Sequence, residues 1–524
     1  MSPTENRMDP VVYGNTPLIR IVSKRIDDLV DAEKLFAKCF GDSNNAFWLD
    51  SSAIIDGYSR FSFMGDDSGP LAQSLCYRLK TGELMLQGQN AGVTRSESIL
   101  DFMSSKLASL QLASSLPFDF CGGFVGYLGY EMKAECGASA HHRSELPDAM
   151  FLFVDRFVAI DHKAEQIWVV CLIEGVEQEG AANAWLETMV GAIKDVRNDV
   201  QKVPVSELVS RNELLAAAEI ITKRFVSEKA EYLDQIERCK SLILDGESYE
   251  ICLTNQIEVD DDIDCWQVYR QLRKINPAPY SSYLKLGQVR VLCSSPERFL
   301  KIDRERMIEA KPIKGTIARG GTPEEDAALR NQLQESEKDC AENLMIVDLA
   351  RNDIGVVAKQ NSVHVPKLLD IETYATVHQM VSTIRGELDD GVSAMDAVRA
   401  AFPGGSMTGA PKLRTMEIID QLEKRARGIY SGAIGYFSLN GAVDLNIVIR
   451  TLVYAEGKVS LGCGGAITWL SSPESEWDEI VLKARAPLAA LAGHASRFNG
   501  GIRMNNQVMA TTDRVTAVNR IPQL

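Results

Sequence analysis

Along this chain strand-like and helical runs are interleaved without a regular βα period, and no segment recurs at solenoid spacing. A doubly wound parallel sheet needs a helix after nearly every strand, so an α+β fold is expected instead. The 524 residues suffice for one large core or two to three ordinary ones. Residues 1–15 are polar and punctuated by Pro and Gly, an expected flexible arm. In residues 16–200, β-rich runs such as FVAIDHK and QIWVVCLIEG alternate with helical stretches. The glycine-dense CGGFVGYLGYEMK there predicts close backbone packing or tight turns. A polar, helical bridge over 195–225 leads to a second region, 225–491, and residues 492–524 read as a tail without a core-forming pattern.

In the second region Tyr232, Ile236, Cys239 and Ile243 predict an amphipathic helix ending at Asp245-Gly246. The run YEICLTNQIEV largely alternates, with Tyr249, Ile251, Leu253 and Ile257 on one face and Glu250, Thr254 and Gln256 on the other. A half-buried strand is expected. Residues 324–352 predict one long helix, and GIYSGAIGYFSL, AVDLNIVIRTLVY and KVSLGCGGAITW predict strands. A last amphipathic helix is expected from Pro473 to Ala492.

Charge and cysteines narrow the function classes. A net charge of −16 with no basic run argues against nucleic acid as a partner. Eleven scattered cysteines, without a CxxC pair, read as free thiols in a reducing compartment. No apolar run approaches the ~20 residues needed to span a bilayer. A cytoplasmic protein with no membrane partner is expected.

Four constellations carry candidate chemistry. In SPERF followed by AKPIKGT, Glu297 follows the strand-like VRVLCSS, and Lys314 sits in an expected tight turn between Pro312 and Gly315. Desolvation there would lower the amine's pKa and free a lone pair for attack, a surface lysine being the plain alternative. In AENLMIVDLARND, Leu344, Ile346, Val347 and Leu349 predict a largely buried helix, so Glu342 needs an ion-pair partner or a metal. In AFPGGSMTGAPKLRTMEIID, Ser406 and Thr408 precede a helix with Pro411 in its first turn. The loop amides there form an anion site, or the helix is simply well capped. In SPESEWDEIVLKARA, Glu476, Glu479 and Lys483 share one helical face. They make an ordinary i,i+4 surface pair, or a carboxylate for Mg²⁺ beside a lysine for a substrate carboxylate. Together the four describe one pocket.

These motifs and DLNIVIRT occur in the order and spacing found in the chorismate-utilising enzymes. The chain resembles that family strongly over 227–491 and weakly before, through FWLDSS, YSRFSFMG and GGFVGYLGYE. The resemblance implies two large orthogonal β-sheets surrounded by helices, with the N-terminal region woven into the same body. It implies Mg²⁺ as cofactor, held by Glu342 and Glu479 with Glu476 close by, clamping the ring carboxylate of chorismate. It further implies that Arg450 and Tyr430 hold the enolpyruvyl carboxylate. Gly315, Thr316, Gly464 and Gly465 would contact the substrate through their backbones. His378, read as lying on an apolar helix, and Ser406 match pocket positions, and Lys483 matches a substrate-carboxylate ligand.

Two positions choose among the family's reactions. Members that add water to the ring carry a Lys base where this chain has Glu250. In the PIxGT turn the branches making anthranilate, isochorismate and salicylate typically carry Ala, whereas the branch that aminates C4 typically carries Lys, here Lys314. The implied reaction converts chorismate and ammonia to 4-amino-4-deoxychorismate. Lys314 attacks ring C2 while Glu297 protonates the departing hydroxyl, and ammonia then adds at C4 and expels Lys314. No GxCxGxQ segment is present, so ammonia is expected from a separate glutamine amidotransferase subunit. Competing readings are an anthranilate synthase component I, a catalytically silent subunit that senses tryptophan or chorismate, and amination at the ring's 2-position.

Overall fold

Many strands of this protein carry apolar side chains on both faces, and such strands need cover on two sides. Phe151, Leu152, Phe153 and Val154 are all essentially buried, the even-numbered pair in one core cluster and Phe151 and Phe153 in another. The computed structural model, which describes residues 18–55, 57–88, 92–112, 116–139, 141–198, 224–374 and 377–495, meets that need with stacked layers.

Among the described residues there are two twelve-stranded sheets. One runs from Gly409–Ala410 through Glu250–Asp260, Lys458–Ile467, Thr451–Ala455, Val289–Ser295 and Tyr280–Leu286. It continues into Ala46–Asp50, Phe61–Asp66, Arg156–Asp161, Gln166–Ile173, Leu18–Ile26 and Gln111–Leu112. The other runs from Ile313–Ala318 through Val377–Glu387, Met307–Lys311, Arg298–Ile302, Val443–Ile447 and Ala433–Ser438 into Gly123–Leu128, Ala149–Val154, Gln73–Arg78, Glu83–Gly88 and Val93–Ser96. Strand His364–Thr373 pairs with Val377–Glu387. Each sheet thus joins strands from before residue 200 to strands from after 225, Tyr283 opposite Trp48 in one and Tyr436 opposite Val125 in the other. The interweaving implied by the resemblance is present, and the fold is α+β.

A shared core that includes Phe47, Phe63, Val125, Tyr127, Val291 and Tyr436 lies between the sheets. Helices Ala32–Phe40, Glu179–Asn198, Lys229–Leu244, Cys265–Ile275 and Pro473–Ala495 cover the outer face of the first. Helices Ile99–Ala108, Glu337–Gly355 and Ala394–Ala401 cover the second. Close packing explains the glycine-dense segment: a Cβ on Gly126 would lie 2.0 Å from the Met150 carbonyl oxygen. Among the described residues no helix is long and apolar enough to cross a membrane. The arm 1–15, the bridge after Asn198 and the tail after Ala495 lie outside the described residues.

Two expectations are corrected. The single helix over 324–352 is two, Pro323–Gln334 and Glu337–Gly355, because Ser336 turns its hydroxyl onto the Asp339 amide and caps a new start. The strand Glu250–Asp260 is buried on both faces in its first half, Glu250 at 0% and Thr254 at 1% exposure, while Tyr249 stands outside it at 72%. Its polar face meets other polar groups instead of water.

Part of that face belongs to a buried network. Glu423 Oε1 accepts from the Thr254 amide at 2.8 Å and from Arg427 at 2.7 Å. Arg427 also donates to the carbonyls of Met407 (2.7 Å) and Cys252 (2.8 Å), and its amide donates to Glu131 at 2.8 Å. The Arg427 guanidinium therefore ties the AFPGGSMT loop to strand Glu250–Asp260, while the Arg427 amide engages the YEMK segment. Removing it with Arg427→Met leaves Glu423 charged and buried. The expected cost is about 3–5 kcal/mol in urea unfolding, and a loss under about 1 kcal/mol would contradict this role.

Candidate active site

The candidate site forms where strand Glu250–Asp260 of one sheet and edge strand Ile313–Ala318 of the other meet two helices. Strand Glu250–Asp260 supplies Glu250, and the edge strand Ile313–Ala318 supplies Lys314. Glu297 lies on the short link by which the chain passes from one sheet (Val289–Ser295) to the other (Arg298–Ile302). Helix Glu337–Gly355 carries Lys338 and Glu342, and helix Pro473–Ala495 carries Glu476, Glu479 and Lys483.

Lys314 sits in a bulged strand, a correction to the expected turn: the ladder against Val377–Glu387 shifts register between Ile313 and Thr316. A bulge re-aims the side chain it contains. Gly315 takes φ +83°, and a Cβ there would press on Asp339 and Leu333 at 2.9 Å. The Lys314 ammonium donates to Glu250 Oε1 at 3.0 Å and lies 4.0 Å from Glu342 Oε2. Burial pulls its pKa down, but Glu250 and Glu342 outweigh burial and hold it above the ordinary lysine value. The expected depression is overturned, so Lys314 rests as an ammonium. Glu250 is the residue that sequence reasoning missed. It is fully buried, and its second oxygen has no hydrogen-bond partner.

Burial pushes the Glu297 carboxyl up to about 7, against the opposing pull of Lys314, a Ser406 hydroxyl contact and Lys483. It is therefore substantially protonated at neutral pH. Ser406 Oγ is buried beside it without a partner of regular hydrogen-bond geometry. A cavity of about 40 Å³ adjoins both, walled by Phe299, Ile346, Ala401 and Ile447. The loop does not open directly into a helix as expected. The Met407 and Thr408 amides donate to Gly404 and Gly405 within the loop, and the helix begins only at Lys412, after the short strand Gly409–Ala410.

Three carboxylates gather opposite. Burial pushes Glu342 up to about 7, and its Oε1 is buried without a hydrogen-bond partner. Burial also pushes Glu479 up, but Lys483, 2.6 Å away, with help from Lys338 and Lys314, holds it below the usual range. Glu476 Oε1 accepts from Ser471 at 2.7 Å and from Lys338 at 3.1 Å. A Cβ on Gly465 would stand 3.1 Å from Glu476 Oε2 and 3.8 Å from Glu479 Oε1, so glycine keeps this space open. Gly464 presents its carbonyl to Lys483 at 2.8 Å.

Arg450 takes φ +53° in the break between Val443–Ile447 and Thr451–Ala455. Among the described residues no carboxylate lies within salt-bridge distance of its guanidinium. Burial lowers its pKa, with Tyr430, Cys463 and Glu479 around it opposing. Tyr430 is buried with its ring laid against Gly462. A cation without a counter-ion beside a tyrosine is suited to a carboxylate ligand. One expectation here is corrected. His378 lies on a strand, not a helix, and both ring nitrogens are engaged, by Thr373 (2.9 Å) and Asp326 (3.0 Å). The Thr316 side chain accepts from Gln379 at 3.3 Å, which leaves its expected backbone contact to the substrate unaffected. FWLDSS helps line a separate cavity of about 360 Å³, with Tyr58, Tyr280 and Asp444.

The family model for chorismate binding enzymes matches residues 73–489. The chain belongs to this family. It is 45% identical over 504 residues to a probable chloroplastic aminodeoxychorismate synthase of Oryza sativa subsp. japonica, covering 90% of this chain and 56% of that protein. It is 46% identical over 474 residues to the aminodeoxychorismate synthase of Streptomyces pristinaespiralis, covering 90% and 65%. The chain thus spans between about half and two thirds of the length of these relatives. An anthranilate synthase component 1 of Bacillus caldotenax is 34% identical over 504 residues, covering 93% and 96%. The crystal structure of anthranilate synthase component I from Streptococcus pneumoniae superposes with a TM-score of 0.66 at 27% identity, over 83% of this chain and 94% of that one. The menaquinone-specific isochorismate synthase of Escherichia coli shares the fold, with a TM-score of 0.64 at 17% identity over 91% and 95%.

Proposed function

We propose that this chain aminates chorismate to 4-amino-4-deoxychorismate, with Lys314 as nucleophile and Glu297 as acid and base. The observation that carries the reading is the buried Lys314, held at 3.0 Å by Glu250 in a pocket that also keeps the Glu297 carboxyl near neutrality. The names of the relatives near 45% identity support it. Glu250 takes a proton from the Lys314 ammonium, and the freed amine bonds to ring C2. Both ring double bonds shift, the C4–O bond breaks, and the hydroxyl leaves as water with the proton of Glu297. Ammonia then bonds to C4, both double bonds shift back, and the C2–N bond breaks to release Lys314. The Glu297 carboxylate takes the proton that the new ammonium loses. The small cavity beside Glu297 has room for a water- or ammonia-sized molecule. Ammonia comes from glutamine hydrolysed by an amidotransferase.

Glu342 and Glu479 would hold Mg²⁺, with Glu476 beside them. The unpartnered Glu342 oxygen and the space kept open at Gly465 fit a hard cation, which takes one or two protein carboxylates and completes its shell with water and substrate oxygens. When bound, Mg²⁺ supplies charge neutralisation for a substrate carboxylate. Arg450, Tyr430 and Lys483 bind and orient the remaining negative charge.

Product identification tests the reading. With chorismate, Mg²⁺ and ammonium, p-aminobenzoate is expected only after an aminodeoxychorismate lyase is added. Fluorescent anthranilate formed without lyase would contradict it. Glu250→Gln should keep chorismate binding within a few-fold but lower turnover by about a hundredfold, because the neutral amide cannot accept the Lys314 proton. Turnover equal to wild type would remove Glu250 from the scheme.

A further inference from the structure

The carboxylate cluster contains a cation that the reaction scheme does not use. The Lys338 ammonium stands 3.1 Å from Glu476 Oε1 and 3.8 Å from Glu342 Oε1, the oxygen that is otherwise buried and unpartnered. The longer of these distances is electrostatic contact and leaves Glu342 without a hydrogen bond. The other lysines are committed, Lys314 to Glu250 and Lys483 to Gly464 and Glu479.

Lys338 differs from them in mobility and in cost. Its side chain is 40% exposed, against 10% for Glu342 and 2% for Glu476, so the lysine has a path to solvent that its two carboxylate partners lack. It also lies in the first turn of helix Glu337–Gly355, where the helix dipole disfavours a positive charge. Glu476 and Glu342 offset that placement.

Resting on the reading of Glu342 and Glu479 as a cation site, we propose that Lys338 is a resident counter-ion for that site. It neutralises the pocket when no metal is bound and must swing out to admit a divalent cation. Lys338 thereby sets the affinity for the metal, because binding exchanges one cation for another. Its presence also keeps the metal-free carboxylates from repelling one another.

The test is calorimetric titration of the substrate-free full chain with Mg²⁺, alongside thermal melting with and without Mg²⁺. Lys338→Met, and Lys338→Gln as a second neutral variant, should bind Mg²⁺ on the order of tenfold more tightly than wild type. Both should melt at a lower temperature than wild type without metal and recover with it. Lys338→Arg, which keeps the charge, should bind within about twofold of wild type. Unchanged or weaker binding in both neutral variants, with Glu342→Gln still abolishing it, would overturn the counter-ion role and leave the cation site standing. Wild-type binding in Glu342→Gln and Glu479→Gln would overturn both together.

Discussion

Lys314→Met should lower the amination of chorismate by about a thousandfold or more at saturating ammonium. Methionine keeps the length and apolar stem of lysine and removes only the amine, so the loss reports the covalent route. Without the nucleophile, ammonia must displace the 4-hydroxyl directly, and no other amine among the described residues is held by Glu250. Raising ammonium should not rescue the variant, because the missing group is not ammonia. The substitution also leaves Glu250 buried without its cation, so a lower melting temperature is expected. Chorismate binding, measured separately by tryptophan fluorescence, should change far less than turnover. A variant that turns over at the wild-type rate at any ammonium concentration would contradict the nucleophile role.

Glu297→Gln should lower turnover by about 10²–10⁴-fold and change the shape of the pH profile. Glu297 acts first as an acid, so the competent form is the protonated one. Burial places its titration at about 7, which makes that form abundant below pH 7 and depleted above it. Wild-type kcat/KM should therefore fall as pH rises through about 7. In Glu297→Gln the alkaline limb should disappear from the residual activity. Persistence of the same limb in the variant would assign it to another group. Lys314 does not supply that limb, because Glu250 and Glu342 hold its titration far above this range.

The α+β architecture was legible because irregular interleaving of strand and helix patterns excludes a doubly wound sheet, and the motif order pointed to the family. Lys314, Glu342, Glu479 and Arg450 were legible for the same reason, since short motifs carry them. Glu250 was not, although the residue itself was noticed. In an alternating strand a glutamate reads as solvent-facing, and its partner Lys314 lies 64 residues away in the chain. No local period reports such a pairing. The depressed lysine pKa failed for the same reason: desolvation is suggested by local sequence, whereas the two carboxylates that reverse its effect arrive from a distant strand and helix. The break in the helix at Ser336 was readable in principle from Ser followed three residues later by Asp, a capping signal that the apolar pattern on either side outweighed. His378 was mistaken for a helical residue because its strand mixes polar and apolar side chains on each face and is buried without a break from Met380 to Ile384, so no clean alternation marks it.

The covalent role of Lys314 is tested most directly by mass spectrometry of the protein incubated with chorismate and Mg²⁺ in the absence of ammonia. Wild type should gain the mass of chorismate less one water on the peptide containing Lys314, and Lys314→Met should gain none. Amination at full rate by a wild-type protein that never carries this adduct, or an adduct of equal yield in Lys314→Met, would contradict it.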